Sequence, residues 1–326
     1  MKRISLFFLT LLIAGNFGNI YAQASGVSKE PLTFDFSVQK PKVENPPKEP
    51  IETTKEVPDI MEIPTISDVA INIPVSNHKQ KYTFALIIAN ENYKRVSPVM
   101  FAKNDGEIFK KYCTQTLGLP EKNVHYIADA TLNDIRQEIK WLEGTTEAHA
   151  DEEVNVIFYY AGHGIPDENS RAAYLLPVDG SGSDIESGYK MDLLYSKLGA
   201  LNAKSIVLFL DACFSGAQRS GDMLASARGV AVRAKQGTPQ GNMVVFSAAL
   251  GDETAYPYKE QGHGLFTYFL LKKLQETEGN ATLGELENYI KMNVIRESFL
   301  VNKKSQTSTV TPSSAMEDIW QDLKLK

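Results

Sequence analysis

Two cysteines in 326 residues are too few for a disulfide-stapled scaffold or a four-cysteine zinc centre. The five histidines, His78, His125, His149, His163 and His263, are scattered and form no metal-ligating cluster. There is no basic excess. The 34 Lys and Arg stand against 40 Asp and Glu, a formal charge of −6, which is the wrong sign for a nucleic-acid partner. No apolar run reaches the roughly 18 residues that a membrane span requires. The phosphate-cradling runs G-x-x-x-x-G-K-[ST] and G-x-G-x-x-G are missing from the first strand end, so a nucleotide enzyme is unsupported. What is present is globular: 43% hydrophobic and 23% charged residues, enough to build a core. The length suits two domains of about 150 residues, or one α/β domain with extensions.

The first 24 residues read as an export signal. Lys2 and Arg3 make a basic start, Ile4 to Ala14 an apolar core, and Ala22-Gln23-Ala24 a small-residue cleavage site. The expected location is the periplasm or the outside of the cell, where the two cysteines meet oxidants. Residues 25–80 read as an extended, semi-rigid linker. Eight of the fifteen prolines fall between Pro31 and Pro74, and proline fixes φ and removes donors.

From Tyr82 the chain alternates apolar runs with amphipathic segments, the pattern of a mostly parallel sheet covered on both faces. Strands are expected at 83–89, 124–128, 154–160, 205–210 and 243–248, with a small edge element at 174–176 and a last strand near 307–310. Helices are expected at 102–117, 192–201, 265–275 and 283–295. Leu132, Ile135, Ile139 and Leu142 mark one face of another helix. The domain is expected over 81–313, and 314–326 as a C-terminal helix or tail, with a helix over Met316 to Lys324.

In open α/β sheets the chemistry sits at the carboxyl ends of strands. The third strand runs into Ala161-Gly162-His163-Gly164, and the fourth into Asp211-Ala212-Cys213-Phe214-Ser215-Gly216. One end delivers an imidazole and the other a thiol. A Cys–His pair is how a thiol becomes a nucleophile at neutral pH. Cys113, beside Phe109 and Tyr112, reads as a core residue.

These motifs, with Gly264-Leu265-Phe266-Thr267-Tyr268, resemble the caspase-like cysteine peptidases, and among them the metacaspase-like bacterial members. The resemblance covers about Tyr82 to Pro312. His163 stands 50 residues before Cys213, matching the separation of about 50 in caspases. Asp211-Ala212-Cys213 replaces the caspase Gln-Ala-Cys, which points away from cleavage after Asp. The resemblance implies a caspase-like three-layer α/β sandwich with a central sheet of about six strands. It implies Cys213 as nucleophile, His163 as acid–base, and the backbone N–H groups of Gly164 and Cys213 as oxyanion donors. Substrates would be proteins or peptides with a basic P1 residue, held by Asp105 and Asp211. Two such carboxylates contribute up to about 4 kcal/mol each at 4 Å and an effective dielectric of 20. Ser247 and Asp252 are candidates for the pocket wall. Ala161 replaces the Ser usual in metacaspases, removing one pocket hydrogen bond.

The loop after Cys213 holds Arg219, Arg228, Arg233 and Lys235, candidates for self-processing. No cofactor is required. Calcium is the one optional ion the resemblance brings, with Asp179, Asp192 and Asp222 as its candidate ligands. Two other readings stand beside the endopeptidase. One is a caspase-fold interaction protein whose Cys–His pair is silent. The other is a cysteine transferase working through the same acyl-enzyme.

Overall fold

Continuous apolar runs form strands buried on both faces, because helices cover both sides of a parallel sheet. The computed structural model describes residues 67–215 and 234–326, and it follows this logic. In chain order the first elements are β1 (Thr83–Ala89), α1 (Ala102–Lys111), β2 (Val124–Ala128), α2 (Leu132–Ala148) and β3 (Asn155–Ala161). Three short strands follow, β4 (Gly164–Pro166), β5 (Ala173–Leu175) and β6 (Tyr189–Lys190), then α3 (Met191–Gly199) and β7 (Ser205–Asp211). The rest comprises β8 (Met243–Ser247), β9 (Pro257–Tyr258), β10 (His263–Gly264), α4 (Leu265–Glu276), α5 (Leu283–Asn302) and β11 (Thr309–Pro312).

Six strands form the main sheet in the order β11-β8-β7-β3-β1-β2. All neighbours run parallel except β11, which pairs antiparallel with β8. Successive side chains leave a strand on opposite faces, and the two cores show it. Ala85, Ile87, Val207 and Phe209 join Phe109 of α1, Leu270 of α4 and Ile290 of α5 on one face. Leu86, Ile88, Leu208 and Leu210 join Ile139 and Leu142 of α2 and Leu194 and Leu198 of α3 on the other. The result is the expected three-layer sandwich with a mostly parallel sheet of six strands.

Several local expectations change. The element near 174–176 belongs to a separate three-stranded sheet, β4-β5-β6, not to the main sheet edge. Segment 102–117 is α-helical only to Lys111, then widens into a π-helical turn over Tyr112–Thr116. The segment 316–324 is not an α-helix. It forms turns and a 3₁₀ turn at Trp320–Asp322. Its end is drawn out by pairing with the start of α5: the Leu283 N–H donates to the Leu323 carbonyl at 2.7 Å, and Thr282 bridges Lys324.

The end of the proline-rich stretch also behaves differently. Ordered packing begins before Tyr82. Val69 is buried, and the Tyr112 hydroxyl donates to its carbonyl at 2.9 Å. Asp68 pairs with Lys272 of α4 at 2.8 Å. Val69, with Ala70 and Ile73 against the same core, seats this turn beside the π-helical turn and α4.

Candidate functional site

β3 and β7 are neighbours in register, with Ala161 opposite Asp211. Each strand ends there, and two residues later come His163 and Cys213. The strand pairing therefore brings the segments that carry the imidazole and the thiol to the same carboxyl end of the sheet. Gly164 packs directly on the Cys213 carbonyl. A Cβ built on Gly164 would lie 2.7 Å from that oxygen and 2.5 Å from Phe214 Cδ1. Only a residue without a side chain allows this approach.

The His163 ring is oriented by three contacts. Nε2 lies 2.8 Å from the Ser97 carbonyl. A carbonyl only accepts, so Nε2 carries the proton and Nδ1 is left with the lone pair of a base. The Tyr93 ring tilts against the imidazole at 4.7 Å between centroids. The His163 backbone N–H donates to the Tyr93 hydroxyl at 2.7 Å. From the other side, the Tyr160 hydroxyl donates to the His163 carbonyl at 2.8 Å.

The Cys213 thiol is buried and hydrogen-bonded. Sγ lies 2.9 Å from the Ser215 hydroxyl and donates to the Glu253 carbonyl at 3.1 Å. Glu253 is itself fixed, its carboxylate accepting from the Ser305 hydroxyl at 3.0 Å and the Thr307 N–H at 2.6 Å. Cys113, by contrast, lies in the core, where burial pushes its thiol well above the ordinary value. Both cysteines are free.

The Leu176 N–H donates to the His163 carbonyl at 2.9 Å. Gly164 and Leu175 are therefore a non-hydrogen-bonded pair of their antiparallel ladder. The Gly164 N–H points away from β5, which is what an oxyanion donor requires.

Asp105 and Asp211 are both fully buried. Asp105, in the first turn of α1, accepts from His263 Nδ1 at 2.7 Å and from the Gly264 N–H at 3.0–3.1 Å. Asp211 accepts from the Thr267 hydroxyl at 2.6 Å. Both partners come from the chain entering α4, so His263 belongs with the acids. The Ser247 hydroxyl donates to Gln236 at 2.9 Å, at the same sheet end as Asp211. Asp252 is exposed in the turn after β8.

Of the expected calcium ligands, the two that are described each have another partner. Asp179 accepts the Leu132 N–H at 3.0 Å, at the start of α2. Asp192 pairs with Lys190 at 3.4 Å. Asp222 lies outside the described residues. Among the described residues no three His, Cys, Asp or Glu side chains gather to hold a metal ion.

Sequence reasoning did not find Ser97, Tyr93, Glu253 or Thr267. Ser97 and Glu253 act through backbone carbonyls, which carry no sequence signal. Thr267 did leave a trace: it is the one aliphatic hydroxyl in the mostly apolar run Leu265 to Leu271, in the first turn of a helix buried almost all round.

Comparison with known proteins gives the fold and the family. Two solved structures share the fold at low sequence identity. Caspase-1 from Spodoptera frugiperda matches at 15% identity and a TM-score of 0.50, covering 76% of this chain and 94% of its own. A protein from Geobacter sulfurreducens matches at 15% identity and a TM-score of 0.53, covering 75% of this chain and 97% of its own. No curated protein sequence matches. The family model for the caspase domain, peptidase C14, matches residues 83–319, and the chain belongs to this family of cysteine peptidases.

Proposed function

We propose that the chain is an exported, metacaspase-type cysteine endopeptidase that cuts after Arg or Lys. The observation that carries the proposal is the β3–β7 register. It sets Gly162-His163-Gly164 beside Ala212-Cys213, with the His163 tautomer fixed by Ser97. In this reading His163 Nδ1 takes the thiol proton and Cys213 Sγ attacks the scissile carbonyl carbon. The carbonyl oxygen becomes an oxyanion, met by the N–H groups of Gly164 and Cys213. The C–N bond then breaks, His163 gives its proton to the departing amine, and a thioester remains. Water attacks the thioester with His163 as base, releasing the acid and the thiol.

The basic preference rests on Asp105 and Asp211 at this sheet end. Both are buried, so they act on a P1 cation through a field that solvent screens little. His263 already donates to Asp105, which leaves less attraction for a substrate than two bare carboxylates would offer. The expected preference for Arg or Lys over Asp is therefore roughly 10–100-fold, equal to about 1.4–2.7 kcal/mol.

Among the candidate self-processing residues, Arg219, Arg228 and Arg233 lie outside the described residues. Lys235 is held by backbone bonds to Arg171 and Ala173, so a cut is expected at one of the other three. Active enzyme shows that split and Cys213→Ala does not.

The test is hydrolysis of matched fluorogenic peptides with Arg, Lys or Asp at P1. Wild type is run beside Cys213→Ala, reduced, with and without calcium. Cleavage after Arg or Lys that is lost in the variant supports the whole reading. Cleavage after Asp alone keeps the Cys–His pair and removes the role of the two acids. No cleavage, with Cys213 also refusing iodoacetamide, favours a silent interaction protein.

A further inference from the structure

The first turn of α4 holds a buried hydrogen-bond chain that the reaction as described does not use. The Thr267 hydroxyl has one proton and donates it to Asp211 Oδ2 at 2.6 Å. Its 2.7 Å contact with the Tyr159 hydroxyl therefore has the phenol as donor. Tyr159, Thr267 and Asp211 are all fully buried.

The chain joins three elements. Tyr159 lies in β3, four residues before His163. Asp211 ends β7, two residues before Cys213. Thr267 sits on α4, a third body packed across both strand ends. The β3–β7 ladder stops at Ala161 and Asp211. Beyond it the regular ladder ends: the Gly162 N–H reaches the Asp211 carbonyl only at a long 3.3 Å, and the next close approach is Gly164 against the Cys213 carbonyl. Strand pairing alone thus does not fix the last two residues before the thiol or the imidazole. A link between Tyr159 and Asp211 through a helix-borne hydroxyl constrains both approaches together. Asp211 also stands near the positive end of the α4 dipole, which favours its acceptor role.

We infer that Thr267 is a positioning residue for the Cys213–His163 pair. Its hydroxyl ties the strand that carries the base to the strand that carries the nucleophile. The inference rests on the cysteine-peptidase reading of this pair but not on the P1 preference. Thr267 touches neither substrate nor reacting atoms in this scheme.

The test compares full-length Thr267→Val, Thr267→Ser and Tyr159→Phe with wild type. Valine keeps the shape and removes both hydrogen bonds, serine keeps the hydroxyl, and phenylalanine removes the Tyr159–Thr267 link while leaving Thr267 on Asp211. Three quantities are read: kcat and KM on the best peptide, the pH profile of Cys213 alkylation by iodoacetamide, and the thermal midpoint. Thr267→Val is expected to lower kcat roughly 10–100-fold, the cost of about 1 Å of misplacement. It also shifts the alkylation profile. Thr267→Ser keeps kcat within about threefold, less than half a decade, and Tyr159→Phe falls between the two. A lowered thermal midpoint with kcat and alkylation as in wild type would overturn the inference, as would a serine variant no better than valine. Should Thr267→Val not fold, Tyr159→Phe decides: a fall in kcat supports the link and an unchanged kcat refutes it. Should wild type cleave no peptide, the alkylation profile still reads the pair. A shift in Thr267→Val would then uphold the positioning role while the peptidase reading falls.

Discussion

Gly164→Ala tests the site at its tightest point. The added Cβ would lie 2.5 Å from Phe214 Cδ1 and 2.7 Å from both Phe214 Cε1 and the Cys213 carbonyl oxygen. Ordinary contact begins near 3.4 Å, so the neighbours must retreat by roughly 0.7–0.9 Å. Neither can do so cheaply. Phe214 is fully buried among packed side chains, and the Cys213 oxygen is main chain. Gly164 is not at positive φ, so the cost is steric and not a matter of backbone freedom. A displacement near 1 Å at a reacting group costs about 100-fold in rate, or about 2.7 kcal/mol of barrier. Overpacking of a core adds about 1–3 kcal/mol of lost stability. At this size that lowers the melting temperature by roughly 2–4 °C per kcal/mol.

The assay is kcat/KM on the best peptide together with the iodoacetamide rate at Cys213, both corrected for folded fraction. The expected result is a fall of about two decades in kcat/KM, with the protein still folded. A variant within twofold of wild type in both readings would show that Gly164 does not abut the nucleophile. The packing argument for its N–H as an oxyanion donor would then fail as well.

Three further outcomes follow from the same structure. Gly144→Ala meets nothing within 4 Å inside α2, so it is expected to stabilise by about 0.5–1 kcal/mol with kcat/KM unchanged, read by urea unfolding beside Gly164→Ala. Thr131 caps α2, and its hydroxyl and N–H both donate to Asp134, holding that carboxyl below its usual value of 3.8. Thr131→Ala is expected to cost about 1 kcal/mol near neutrality. A depressed carboxyl stabilises above its unfolded value and loses that as pH falls through the folded one, so the gap between variant and wild type should narrow below about pH 4; a gap that does not narrow in acid would refute the coupling of Thr131 to the Asp134 carboxylate. Native protein is expected to take one carbamidomethyl group by mass spectrometry, at Cys213, and a second only after denaturation, because Cys113 is sealed in the core with its thiol pushed up; early labelling of Cys113 would contradict that packing.

The parts of this molecule legible in the sequence are those that local patterns encode. The unbroken run Thr83 to Ala89 declares a strand covered on both faces, and all seven residues are buried. The spacing of Ile135, Ile139 and Leu142 declares a helix face, and all three are buried. The placement of His163 and Cys213 at one sheet end is legible because each follows such a strand, and the two strands pair in parallel. What the residues could not announce is the partner of a buried polar group. The Asp105 carboxylate finds His263 at a separation of 158 residues, and Asp211 finds Thr267 at 56. Nothing local to either aspartate distinguishes an acid that faces substrate from one that ties α4 to the sheet. In either role a buried carboxylate must be hydrogen-bonded. The donors available where the sheet meets α4 are the ones the Gly262–Thr267 turn supplies. The same turn therefore restrains both acids, and a change at either His263 or Thr267 reaches the strand ends that carry the thiol and the imidazole.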